Sequence, residues 1–143
     1  MSRSDFYVLP SPAPEARMNF LYKLLEKILK LGRRVYIKAE SEEQARMLDT
    51  RLWDYQDQAF IPHSLVAEGL ASPLEIGYGD AKPDHCDVYL NFALDIADEA
   101  LKFDRIIEIV VQEPRILEST RNNYRRYKQA GYDIHMNDMR RKI

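Results

Sequence analysis

The sequence predicts an α/β fold, a mostly parallel sheet with helices on both faces, and three observations carry that expectation. Short β-branched and aromatic runs such as "DFYVL", "RRVYIKA" and "RIIEIVV" alternate with longer segments whose apolar residues recur at helical spacing. Proline and glycine stand at the junctions between them. A chain of 143 residues, without repeats or a low-complexity tract, is long enough for one core. Residues 1–143 are therefore expected to form one domain, its parallel strands joined by right-handed crossovers.

The elements follow in order. Residues 5–9 read as a strand closed by Pro10, Pro12 and Pro14. "PEARMNFLYKLLEKILKLG" spaces Met18, Leu21, Leu25, Ile28 and Leu29 as a helix, with Pro14 suited to its first turn and Gly32 to its end. After the strand "RRVYIKA", the segment "ESEEQARMLDTRLWDY" offers Ser41 as N-cap with Gln44 three residues later, a capping-box pattern. Residues 56–73 hold Pro62, Gly69 and Pro73 without a clear period and read as a long ordered connection. "LEIGYG" and "CDVYLNF" read as strands around a turn, "ALDIADEALKF" has helical spacing, and "RIIEIVV" is a continuous apolar strand. Residues 114–130 form a helix that Gly131 ends, and "YDIHM" returns as a last strand.

Composition excludes several classes of function. With 45% apolar and 31% charged residues the chain is neither disordered nor a tail. It has no run of about 18 apolar residues and no signal-like N-terminus, so no membrane contact and a cytoplasmic location are expected. The single cysteine, Cys86, suits a reducing compartment. Eight lysines and arginines face three acids over residues 115–143, whereas thirteen face twenty in the residues before them. A basic end on an acidic body points to one local anion site, with any contact to DNA indirect.

No catalytic centre or cofactor is expected. The first strand-to-helix turn, "LPSPAPEAR", has no glycine, and neither glycine-rich phosphate-binding pattern occurs. Asp84, His85, Cys86 and Asp87 are adjacent in an extended stretch, where successive side chains point apart, so they read as a polar loop entering a strand. His63, His85, His135 and Cys86 lack metal-ligand spacing.

The helix before Gly131 is different. At 100° per residue Arg121, Tyr124, Arg125 and Lys128 fall within an arc of about 100°, with Leu117 beside them and no acid inside it. Cations at this spacing repel one another unless a partner relieves them. An aromatic ring and a leucine among cations suit a ligand with both negative charge and an apolar end. Direct contact with single-stranded DNA or RNA is the alternative, disfavoured because the acidic remainder repels a long polyanion. A second cluster, Trp53, Tyr55, Phe60, Ile61, Pro62 and His63, fits core packing and a protein interface equally well.

In combination, "FYVL", "GRRVYIKAESEEQARMLDTRLW", "FIPHSL" and "RNNYRRYKQAGYDI" resemble, almost end to end and in the same order, the chi subunit family of the bacterial DNA polymerase III holoenzyme. The resemblance implies a non-catalytic clamp-loader accessory with a Rossmann-like fold. It implies binding of the acidic, phenylalanine-terminated tail of single-stranded DNA-binding protein at Arg121, Tyr124, Arg125 and Lys128, with arginine at 125 where some relatives carry lysine. It further implies a surface near Trp53, Phe60, Ile61, Pro62 and His63 for the psi subunit of the clamp loader or a repair helicase. The connection from Val111 to Arg121 is a few residues shorter than in the best-known relatives, which bears on Glu113 and Arg115 at the rim.

Overall fold

The computed structural model describes residues 2–55, 63–65 and 72–140. Seven strands form one sheet: β1 (Arg3–Val8), β2 (Val35–Lys38), β3 (His63–Leu65), β4 (Leu74–Gly77), β5 (Val88–Asn91), β6 (Arg105–Val110) and β7 (Asp133–Asp138). Their order is β3-β4-β2-β5-β6-β1-β7, and every pair runs parallel. Helices α1 (Pro14–Lys30), α2 (Glu42–Tyr55) and α3 (Pro114–Gln129) complete a Rossmann-like α/β architecture.

Alternation along the strands divides the apolar residues between two cores. Val35, Ile37, Leu74, Ile76, Val88, Leu90, Ile107 and Ile109 point to one face, where Leu21, Leu25 and Ile28 of α1 and Leu48 and Leu52 of α2 cover them. Phe6, Tyr36, Tyr89, Ile106 and Val110 point to the other, where Tyr127 of α3 packs with Tyr132 and Phe103. The second core is the more aromatic: Tyr36 and Tyr89, partners in the β2–β5 register, hold their rings 5.5 Å apart.

The caps match the sequence signals. The Ser41 hydroxyl accepts from the Gln44 N–H at 3.1 Å, while the Gln44 side chain accepts from the Glu40 N–H at 2.6 Å. At the end of α3, the Tyr132 N–H donates to the Tyr127 carbonyl at 3.0 Å and the Gly131 N–H to that of Lys128 at 3.2 Å. This Schellman closure needs the left-handed φ of 86° that Gly131 supplies, and it turns the chain directly into β7.

Two readings are corrected. The helical spacing of residues 93–103 yields only a short 3-10 helix, Asp98–Lys102. Side chains take the backbone that an α-helix would need. Asn91 accepts from the Ala93 N–H and donates to the Leu94 carbonyl, and Asn123 of α3 accepts from the Ile96 N–H and donates to the same carbonyl. The long connection holds a strand, β3, paired with β4; its stretches 56–62 and 66–71 lie outside the described residues.

Candidate functional site

Glu113 opens α3 by accepting from the Ile116 N–H at 3.0 Å, ahead of Pro114 at the first helical position. Its inner face is fixed by a polar cluster around Glu108 of β6, which is fully buried. Asn91 and Asn123 donate to Glu108 Oε2 at 3.1 and 3.2 Å, and the Tyr127 hydroxyl donates to the same oxygen. Burial pushes the Glu108 carboxyl up to about 7, against the opposing pull of these hydrogen bonds. Burial, and then the Glu108 charge, push the Tyr127 phenol up in turn. On the flank, Ser119 donates to Asp95 at 2.8 Å, and Arg126 donates to Asp98 and to the Ile96 carbonyl, each at 2.5 Å.

The outer face carries the cations that the sequence singled out. Arg121 and Arg125 are exposed and, with Tyr124, line an open depression of about 370 Å³ whose other walls are Phe6, Thr120 and Met136. Phe6 and Met136 are register partners across the β1–β7 pair, so neighbouring strands place them side by side beneath α3. The Phe6 and Tyr124 rings meet at 5.8 Å, while Met136, on the edge strand, is 55% exposed. Lys128 stands with its ammonium 6.0 Å from the centre of the Tyr124 ring.

Leu117 packs against the second core and does not line the depression. Arg115 pairs with Glu40 at 3.1 Å and borders a separate depression that also carries Asp95 and Glu118. Sequence reasoning missed Phe6 and Met136. The signal for them was in the strand alternation, but only the β1–β7 adjacency brings them to this helix.

Electrostatically the outer face is an exception. The other described arginines pair with carboxylates, as in Arg3 and Arg105 with Asp5, Arg34 with Asp84, Arg51 with Glu15, or, for Arg17, bind main-chain carbonyls. Among the described residues, Arg121 and Arg125 have no such partner; Arg125 only donates to the Asn122 amide oxygen at 3.3 Å. A patch of unpaired guanidinium groups bordering an apolar floor can bind an anionic group that ends in an apolar one.

The second cluster is only partly described. Trp53 is 53% exposed on the side of α2 away from Leu48 and Leu52. Phe60, Ile61 and Pro62 lie outside the described residues, and His63 is placed by its backbone in β3. The polar loop before β5 is a brace: Asp87 accepts from the Arg34 N–H at 3.1 Å, and Arg34 reaches Asp84 at 2.7 Å. Among the described residues no helix is long and apolar enough to cross a membrane.

Comparison with known proteins agrees along the chain. Residues 1–135 match the family described as "DNA polymerase III chi subunit, HolC". The chain is 39% identical over 134 residues to the DNA polymerase III subunit chi of Pseudomonas aeruginosa, covering 94% of each. It is 28% identical over 141 residues to that of Escherichia coli, covering 94% of this chain and 96% of the relative. The subunit from Haemophilus influenzae is 28% identical over 134 residues, covering 92% and 93%.

Proposed function

Because the chain belongs to the chi subunit family of DNA polymerase III, we propose that it is a non-catalytic adaptor that binds the acidic C-terminal tail of single-stranded DNA-binding protein on α3. The carrying observation is the pair Arg121 and Arg125, unpaired among the described residues and set beside the depression floored by Phe6 and Met136. The tail's carboxylates lie against the guanidinium groups and its terminal phenylalanine enters the depression. Tyr124, its ring already beside Lys128, supplies an aromatic wall.

The exposed Trp53 surface of α2 supports a second contact, to the psi subunit of the clamp loader or to a repair helicase. With the two surfaces on different elements, the protein bridges coated single strands in the cytoplasm to the replication machinery. Several tails on one coated strand raise the effective concentration, so a contact of about micromolar strength suffices.

The test is fluorescence anisotropy of a labelled acidic peptide ending in phenylalanine. Wild type is expected to bind with affinity that weakens as salt rises. Arg125→Glu, at an exposed helix position, is expected to weaken binding at least about thirty-fold, roughly 2 kcal/mol, without altering thermal stability. Unchanged affinity in that variant would remove α3 as the tail site.

A further inference from the structure

Strands β1 and β6 are neighbours, yet the chains leaving their carboxyl ends go to opposite faces of the sheet: β1 leads to α1 on the first core, β6 to α3 on the second. Connections that part in this way open a crevice above the strand ends, the place where open α/β sheets hold ligands. Here the crevice is a cavity of about 190 Å³, distinct from the depression beside Met136. Its walls are mainly apolar, with Met18, Phe92, Val111 and Ile116 inside and Met47 of α2 at the rim. A cavity of about 150 Å³ is enough for a benzene-sized molecule.

Arg51, Glu15 and Glu113 border the cavity, but the buried charge in its wall is Arg17, only 7% exposed. It donates to the carbonyls of Ile109, Asn91 and Phe92 at 3.1, 3.2 and 3.4 Å, and its guanidinium lies 4.1 Å from the centre of the Phe92 ring. A guanidinium has five N–H donors, so these bonds leave donors unused. Among the described residues no carboxylate comes within ion-pair distance of it. The acids bordering the cavity are committed elsewhere. Glu15 gives both oxygens to Arg51, at 2.6 and 2.7 Å, and Glu113 caps α3. Burial pushes the Arg17 guanidinium down to about 10, outweighing the charges of Glu108, Glu40 and Glu113, which act on it from beyond ion-pair distance and pull it up.

We infer that the crevice is a second binding site, for a small monoanion with an apolar body, an aromatic or branched aliphatic carboxylate, held by its charge on Arg17 and by its body against Met18, Phe92 and Ile116. The size of the cavity excludes a nucleotide, and Pro12 and Pro14 in its wall deny phosphates the backbone N–H cradle they use. This site is independent of the α3 face, and its test leaves that reading untouched. The competing role for Arg17 is a staple that merely fastens the ends of β5 and β6.

Methionine-methyl NMR separates the two, with phenylacetate as the charged probe and phenylacetamide as its neutral counterpart. Phenylacetate is expected to shift the Met18 methyl saturably at millimolar concentrations, and phenylacetamide to bind at least about ten-fold more weakly. Met47→Trp, a rim substitution that leaves the Arg17 hydrogen bonds in place, is expected to abolish the Met18 shift. Equal binding of the two probes, shifts confined to Met136, persistence in Met47→Trp, or no shift at all would each overturn the proposal.

Discussion

Asn123 and Arg125 stand two residues apart on α3 and meet opposite fates. Asn123 is completely buried, donating to Glu108 and to the Leu94 carbonyl and accepting from the Ile96 N–H. Arg125 is exposed and, among the described residues, bonded only to a neighbouring amide. The same helix thus spends its polar groups fully on one face and withholds them on the other. Inside, a half-satisfied network would be costlier than none, and Asn91, Asn123 and Tyr127 all commit donors to Glu108. Outside, water satisfies the cations, and withheld pairing leaves them available to a partner.

The comparison predicts that inner-face substitutions act on stability and outer-face ones on binding. The largest effect is expected for Tyr127→Ala, which empties a fully buried ring site and removes a donor from Glu108. A loss of about 4 kcal/mol is expected in urea unfolding, while the folded fraction at low temperature still binds the acidic peptide. Loss of binding beyond the unfolded fraction would mean that the two faces are coupled.

Next in size is a pH dependence. The ordinary value for the Glu108 carboxyl is 4.5, and in the folded protein it lies near 7. The folded state therefore holds the proton more tightly than the unfolded chain does. This group's contribution is most favourable below about pH 4.5 and is lost as pH rises to about 7, by about 3 kcal/mol. Glu108→Gln is expected to flatten the fall in unfolding midpoint between about pH 5 and pH 8, and equal slopes in both proteins would discard the assignment. Peptide affinity should stay level over the same range, because Glu108 is buried beneath α3, away from its outer face.

Much of this architecture was legible beforehand, for local reasons. Ser41 with Gln44, Pro14 and Gly131 announce helix ends through backbone chemistry confined to a few neighbouring residues, and the unbroken apolar run of β6 announces a buried strand. What was hidden depended on distant partners. Residues 93–97 have helical spacing, yet Asn91 and Asn123, the latter nearly thirty residues away, capture their backbone. Glu108 sits inside a run that reads as continuously apolar. Arg17 is a charge that the apolar spacing of α1 leaves unremarked, although it stands on the core stripe with Leu21, Leu24 and Ile28. That spacing was the signal for its burial. The outer-face cations were readable from helix periodicity alone, whereas their apolar floor required the strand order.

The smallest and sharpest test concerns that floor. Met136 and Leu117 are the two candidates to receive a ligand's apolar end: one borders the depression from an edge strand, the other packs into the second core from an earlier turn of α3. Since Met136 is already half exposed, Met136→Ala should leave stability within about 0.5 kcal/mol. Truncating it removes apolar surface that the ligand would cover, and should weaken the phenylalanine-terminated peptide by about five-fold, roughly 1 kcal/mol. A peptide ending in alanine should lose little on the same substitution, because it has no ring to bury there. Should Leu117→Ala instead weaken binding more than Met136→Ala at matched stability, the ring enters between helix and core. The cations would then keep their role while the floor moves to the other side of Tyr124.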